Sequence, residues 1–331
     1  MTHSESHIPV LKREALDALN IRKGGYYIDA TLGRAGHAKA IAEQIGAAGK
    51  LIGLDRDPRA VELGRKVFLG DERVQIIHGE FARIAELIYT FTEIEKVDGI
   101  LMDLGVSSPQ LDQDERGFSF MRDGDLDMRM DPSQGESAAQ WLESVAETDL
   151  VKVLFDFGEE KFARRIAKAI VVEREENKIE TTLQLATIIE QNIPKKEKHK
   201  HPATRTFQAI RIQVNQELNQ ISAALPQAVS LLNEGGRLAV ISFHSLEDRI
   251  AKRFIRKHST PNLPPKNIPV SEDAYKTPLR AIGRAIKPSK QEVAGNPRSR
   301  SSVLRVAERT DVEFIVDAPT KKFNKGGLNA R

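Results

Sequence analysis

Cysteine is missing from the 331-residue chain. Its absence excludes disulfides, thiolate metal sites and any mechanism that attacks through a cysteine sulfur. Long apolar runs are missing too: none approaches the ~18 residues that a membrane span requires. The segment Met1 to Pro9 lacks the basic-then-apolar pattern of a secretory signal, so a cytoplasmic protein is expected. Strong net charge is also absent, 50 Lys and Arg offsetting 47 Asp and Glu to leave +3. What remains, 40% hydrophobic and 29% charged residues, is the composition of a globular chain with room for roughly two domains.

The small net charge is unevenly spread. From Arg249 to Lys257 five of nine residues are Lys or Arg with no acid among them, and from Lys276 to Arg309 nine stand against two acids. Such local excess suits a polyanionic partner, because Lys and Arg release counterions from phosphates. A solvated surface explains either stretch taken alone equally well.

The first hundred residues alternate between strand and helix patterns. Tyr26–Ala30, Leu51–Leu54, Val74–Ile77 and Val97–Met102 are short apolar runs that read as strands. Between them Ala38/Ile41/Ala42/Ile45 and Ile84/Leu87/Ile88/Phe91 recur at helical spacing, and Asp57 before Pro58 marks a helix start. Such alternation implies parallel strands joined by right-handed crossovers, hence a doubly wound, Rossmann-like α/β sheet. From Leu111 to Asn215 helical stripes dominate, among them Trp141/Leu142/Val145 and Phe162/Ile166/Ile170. Strand character returns at Arg237–Phe243, after a Gly235–Gly236 turn, and again at Ser302–Ala307. The expected organisation is an α/β domain in two parts, residues 1–110 and 216–331, with an all-helical domain, residues 111–215, inserted after the fourth strand.

Three constellations carry chemistry. The first runs from Tyr27 to His37, from strand into helix, through Gly33 and Gly36. Glycines let the backbone approach a ligand, and the helix N-terminus offers free N–H groups. Asp55 ends the second strand 22 residues after Gly33, where an acid is placed to accept both hydroxyls of an adenosine ribose. The dinucleotide fingerprint G-x-G-x-x-G is absent. That weakens nicotinamide, whose pyrophosphate needs the tightest backbone approach, and favours S-adenosylmethionine, which has no phosphate. A loop serving only as a tight turn is the plain alternative. Phe81 follows the third strand and could pack on an adenine. Asp103 ends the fourth strand and could accept from an amino group of cofactor or target base.

The second constellation is KKEKHKHPATRTFQAIR, Lys195 to Arg211. Its His201, Arg205, Thr206 and Arg211 are candidate RNA contacts, since phosphates take charges and hydroxyls. Phe207 either stacks on a base or belongs to the core with Ile210 and Val214. The third is Ser242 to Arg249, where Ser245 and Asp248 resemble a capping box and His244 faces the expected cleft.

Together with His7–Leu11, Asp103–Gln110, Arg116–Phe120, Leu126–Asp131 and Asn296–Arg305, these stretches resemble the bacterial MraW/RsmH-type small-subunit rRNA cytosine-N4 methyltransferases across nearly the whole chain. The resemblance implies a class I S-adenosylmethionine-dependent fold with an inserted helical substrate-recognition domain. It implies methyl transfer to N4 of a decoding-centre cytosine in 16S rRNA, cytosine 1402 in the usual rRNA numbering. Cofactor contacts would fall on Gly33, Ala35, Gly36, His37, Asp55, Phe81, Asp103 and Gln110, and Arg129 joins the candidate RNA contacts. The family usually has glycine at position 35, a change that matters only if the position needs positive φ.

The chemistry agrees with the composition. Methylation of pyrimidine carbon 5 normally needs a cysteine nucleophile, whereas an exocyclic amine attacks the methyl group directly. The amine's lone pair is delocalised into the ring, so the site has to accept its N–H groups; Asp103 and Ser107 are the catalytic candidates. The amino-methyltransferase signature D/N-P-P-Y/F is absent, so the sequence assigns no proton acceptor. No metal ligand set is expected. The expected partner is 16S rRNA within the small ribosomal subunit, with no membrane and with a homodimer left open. Two rival classes stand beside this reading: an NAD-dependent oxidoreductase and a non-catalytic RNA-binding ribosome-assembly factor.

Overall fold

The structure, a computed structural model, describes residues 9–194, 201–264 and 271–316. The expectations placed on His7, Ile8 and residues 195–200 lie outside them. Strands β1 (Tyr26–Asp29), β2 (Lys50–Asp55), β3 (Val74–His78), β4 (Val97–Asp103), β5 (Leu232–Ser242), β6 (Leu279–Ala281) and β7 (Val303–Arg309) form one sheet in the order β3-β2-β1-β4-β5-β7-β6. The first five strands pair in parallel, while β7 runs antiparallel to both β5 and β6. Helices α1 (Lys12–Leu19), α2 (Gly36–Gln44), α3 (Pro58–Val67) and α4 (Ile84–Phe91) alternate with the early strands. Six more precede β5's own helix: α5 (Ser108–Asp112), α6 (Ala138–Ser144), α7 (Glu147–Gly158), α8 (Ala163–Glu176), α9 (Thr182–Asn192) and α10 (Thr204–Val214). The chain then enters α11 (Glu217–Leu231), and α12 (Ser245–Ser259) and α13 (Lys290–Gly295) follow β5.

Alternate residues of a strand point to opposite faces, and here both faces are covered. Ile28, Ile52, Ile100, Met102, Leu238 and Val240 pack with α4, α11 and α12. Tyr27, Leu51, Leu101, Ala239 and Ile241 pack with α1 and α2 on the other side. Two-sided burial is why these strands read as unbroken apolar runs. Strand order reverses between β1 and β4, which opens a crevice at their carboxyl ends, where Asp29 and Asp103 stand.

A separate apolar cluster is built from residues between Leu126 and Ile210, chiefly of α6 to α10. Phe207 belongs to it, 4% exposed and edge-on to Phe120. Core packing, not base stacking, therefore explains its spacing.

Three local readings change. β5 starts at Leu232 instead of Arg237, because the chain passes Gly235 (φ 73°) without leaving the sheet. Its register against β4 jumps from Val97↔Leu232 to Gly99↔Arg237, a bulge that keeps the pairing. β6, with three residues at the sheet edge, carries too little pattern to be read from sequence. At the start of α12 the N-cap is His244 with Glu247 as its reciprocal partner, not Ser245 with Asp248. Asp248 instead forms a two-pronged pair with Arg305 of β7 at 2.6 and 3.0 Å.

Candidate active site

The loop after β1 is held from beneath. Asp29 accepts from the Thr31 N–H at 3.2 Å, and the Thr31 hydroxyl accepts from the Asp103 N–H at 2.6 Å, tying β1 to β4. The Leu32 N–H reaches Leu54 O at 2.8 Å. Gly33, at φ 50°, gives its N–H to Asp55 Oδ2 at 2.8 Å, while Asp55 Oδ1 takes the Asp57 N–H at 2.8 Å. Asp55 thus pins the loop as well as facing the cleft. Gly36 opens α2 where a Cβ would meet Pro9 Cγ at 2.4 Å, so only glycine lets the N-terminal segment lie across the loop. His37, 5% exposed, hydrogen-bonds that segment through Nε2 and Val10 O at 3.0 Å.

Ala35 sits at φ 59°, ψ 23° in the left-handed region, with its N–H on Leu32 O at 2.7 Å. The position does need positive φ. It is fully buried in the core beneath the loop and is not part of the cleft lining, so it shapes the cofactor loop from behind. A left-handed non-glycine residue costs ~1–2 kcal/mol, and a buried methyl returns roughly 0.8 kcal/mol. Ala35→Gly is therefore expected to unfold within about 1 kcal/mol of the parent. Ala35→Val, β-branched and without space, should lose at least about 2 kcal/mol. Urea denaturation of both variants checks this; a Val variant as stable as the parent would contradict the strained loop.

The cleft is lined on this side by Ala30 to Arg34, Gly36, His37, Asp55, Phe81 and Asp103 to Ser107, together with Gln110. Its acids are perturbed together. Burial, with Asp55 nearby, pushes Asp29 up to about 7. Burial also lifts Asp55 to about 6 against the pull of its two N–H bonds. Asp103 is raised well above the carboxylate range by burial and by the negative charges of Asp29 and Glu247. Asp103 Oδ2 lies 3.4 Å from His37 Nδ1, while Asp103 Oδ1 and Asp29 Oδ2 are buried with no hydrogen-bond partner. These acids have little positive charge to face.

Behind Gln110 lies a buried ion pair. Arg116 and Asp57, 3% and 4% exposed, meet at 2.9 Å. The same Asp57 oxygen takes Gln110 Nε2 at 2.9 Å, and Gln110 Oε1 takes the Ser107 N–H at 2.9 Å. Arg116 also donates to the carbonyls of Arg129 and Met130 at 3.1 and 3.0 Å. One guanidinium thereby joins the start of α3, the loop after β4 and the approach to the helical cluster.

The opposite wall was legible only in part: the Leu126–Asp131, Ser242–Arg249 and Asn296–Arg305 stretches reach it, while α11 was not singled out. It consists of Glu217, Gln220 and Ile221 of α11, Phe243 just after β5, Glu247 in the first turn of α12, Met130, Asn296 and Arg298. Glu217 is clasped by Arg211 through two bonds of 2.8 Å. Glu247 is completely buried: Oε2 takes the Phe243 N–H at 2.7 Å and the His244 N–H at 3.3 Å. Its Oε1 lies 3.2 Å from His244 Nε2 but without the alignment of a hydrogen bond.

Several candidate RNA contacts prove to be committed inside the fold. Arg211 is spent on Glu217, and Thr206 is fully buried. Arg129 is clamped on Asp127 at 2.7 and 2.8 Å. His201 stacks on Phe120 and lies 3.2 Å from Glu190, and Arg205 donates to Glu159 O at 2.7 Å. None of these five lines the cleft. His201, Arg205 and Arg211 meet partners outside the Lys195–Arg211 stretch, Arg129 pairs with its near neighbour Asp127, and the buried Thr206 hydroxyl has no hydrogen-bond partner. Of the sequence-derived catalytic and cofactor residues, Asp103, Ser107, Gly33, Gly36, His37, Asp55, Phe81 and Gln110 converge on one cleft. His244 adjoins it through Glu247.

A Rossmann-like sheet ending in an antiparallel β7, with an acid at the tip of β2 and a cleft at the β1–β4 reversal, is the arrangement of class I methyltransferases. The chain belongs to the MraW methylase family, whose signature matches residues 4–310. It is 55% identical over 306 residues to "Ribosomal RNA small subunit methyltransferase H" of Alteromonas mediterranea, covering 92% of this chain and 97% of that protein. The protein of the same name from Pseudoalteromonas atlantica is 54% identical over 312 residues, covering 93% and 100%. Among solved structures it is similar to a SAM-dependent O-methyltransferase of Thermotoga maritima, with TM-score 0.41 and 9% identity over 94% of this chain and 69% of that one. Among the described residues no helix is long and apolar enough to cross a membrane.

Proposed function

We propose that this chain methylates N4 of a cytosine in 16S rRNA, the decoding-centre cytosine 1402, in the small ribosomal subunit. The methyl donor is S-adenosylmethionine. The observation that carries the reading is the crowding of Asp29, Asp55 and Asp103 at the edge of one cleft, all with raised proton affinities and two of them, Asp29 and Asp103, with an orphaned oxygen. Burial is the main cause of all three shifts, and a cationic ligand placed there would favour the ionised forms. S-adenosylmethionine carries an ammonium and a sulfonium, and no phosphate. The pyrophosphate of NAD would add negative charge to the same place.

The residues fit that cofactor. Each carboxylate oxygen has two lone pairs, so Asp55 keeps one per oxygen for the ribose hydroxyls after holding Gly33 and Asp57. Phe81 packs on the adenine, and Asp103 Oδ1 takes the ammonium. Bound there, the cofactor supplies a methyl group on a positively charged sulfur. The protein aligns the target amine, and positioning supplies much of the acceleration. The lack of any cysteine favours an amine over carbon 5 as the acceptor.

For the RNA, Lys252, Arg253 and Arg256 are exposed on α12, whose first turn adjoins the cleft. They offer phosphate contacts. The helical insertion, residues 111–215, with a core of its own, is the recognition domain.

Mass mapping of 16S rRNA nucleosides from cells with and without the protein is expected to lose one N4-methylated cytosine. Purified chain should restore it on small subunits with labelled S-adenosylmethionine. Label absent from every cytosine, or binding of NAD without S-adenosylmethionine, overturns the reading.

A further inference from the structure

We propose that Glu247 is a catalytic residue, accepting the N–H of the target amine through Oε1, with His244 as its positioning residue. The inference rests on the cleft being a cytosine amino-methyltransferase site. Four carboxyl side chains line that cleft: Asp55, Asp103, Glu217 and Glu247. Three are committed elsewhere. Asp55 spends both oxygens on the cofactor loop, and Glu217 spends both on Arg211. Asp103 lies against His37 through Oδ2, and its other oxygen is the one assigned to the cofactor ammonium.

Glu247 differs on each count. Only Oε2 serves the α12 cap, and Oε1 is buried without a hydrogen bond beside the cleft. Burial would raise its proton affinity, but the His244 imidazole and the Arg211 guanidinium outweigh burial and hold it below the usual glutamate range. The groups facing it are His244 from its own helix start, Asp103 from β4, Arg211 from α10 and Glu217 from α11. Among the described residues, Glu247 is the cleft carboxyl that is both held ionised and left with a bare acceptor oxygen. With His244 Nε2 near but poorly aligned, this buried acceptor still has a lone pair for a ligand N–H.

The step balances simply. As the amine nitrogen bonds the methyl carbon, the sulfur–carbon bond breaks with its electron pair left on sulfur, and one N–H proton passes to Glu247 Oε1.

Glu217, His244 and Glu247 also bring one ligand atom each within 4.8 Å of one another, as a metal site would. The Arg211 guanidinium already supplies a cation to that cluster.

Glu247→Gln keeps size and one acceptor for the cap. It is expected to slow single-turnover methylation of small subunits about 100-fold, as loss of a general base does. Calorimetric affinity for S-adenosylmethionine should change less than about 3-fold on the same scale. His244→Asn should lower the rate and move the acid limb of the pH–rate profile to higher pH, since Glu247 then loses a neighbour that favours its ionised form. A purely structural His244 would lower the rate without moving that limb. Glu247→Gln as fast as the parent overturns the assignment. So does a rate loss matched by equal loss of cofactor binding, or activity abolished by chelation and restored by a divalent metal. A parent protein that labels no cytosine sinks the earlier reading of the site instead, so the two failures are distinguishable.

Discussion

Asp55→Ala is expected to weaken S-adenosylmethionine binding about 100-fold while leaving affinity for the small subunit nearly unchanged. Hydrogen bonds to a charged acceptor are worth roughly 1.5–3 kcal/mol each. Two ribose bonds, partly replaced by water, account for about 2.7 kcal/mol, or two powers of ten. The alanine also frees the Gly33 and Asp57 N–H groups, so the loop loses its anchor as well as its acceptor. Asp55→Asn separates these effects: it keeps an acceptor and shape but removes the charge, and about 10-fold is the expected loss.

The pH dependence has a definite sign. Asp55 takes up its proton at about 6 in the folded chain, and the ionised form is the one that accepts ribose hydroxyls. Affinity should fall as pH drops through about 6 and level off above it. Asp29, at about 7, titrates in the same window. The Asn variant therefore isolates the Asp55 share, and its profile should be flatter than the parent's. Calorimetry between about pH 5 and 8 reads both. Parallel profiles for parent and Asn variant would place Asp55 outside the ribose contact.

Arg116→Ala is expected to destabilise the fold by about 3–5 kcal/mol, the usual consequence of stripping one partner from a buried ion pair. Asp57 would be left buried with Gln110 and the Arg59 N–H as its remaining partners. The carbonyls of Arg129 and Met130 would lose their donor at the same time. At roughly 2–4 °C per kcal/mol, the melting temperature should fall by about 10 °C. Arg116→Met combined with Asp57→Asn should cost less than Arg116→Ala alone, because no lone charge remains. Thermal and urea unfolding test this; equal losses in the double and single variants would argue against a charge effect.

The parts visible in the sequence were those written in local order. Tyr27 to His37 and the acids ending β1, β2 and β4 follow each other at strand–helix spacing, so the cofactor side could be read directly. The opposite wall could be read only in part, and without roles for its acids. Glu217 looks like the start of an ordinary amphipathic helix and Glu247 like part of a helix cap. Only the pairing of β5 beside β4 brings them to the cleft. Arg129 and Arg211 looked available for RNA although nearby acids, Asp127 and Glu217, hold them, and burial of Thr206 is a property of the packed helices. Ala35 is the reverse case: the sequence posed the question of φ, and the backbone settled it at 59°.

The N-terminal segment has one further consequence. Leu11 gives its N–H to Glu292 of α13, 281 positions away, at 2.7 Å, and Asn296 and Arg298 complete the wall that Pro9 and Val10 begin. A chain still being synthesised cannot close this pocket until α13 and β7 have emerged. Cofactor occupancy therefore requires α13 and β7: truncations ending before β7 should present the acids of β1, β2 and β4 yet retain no nucleoside.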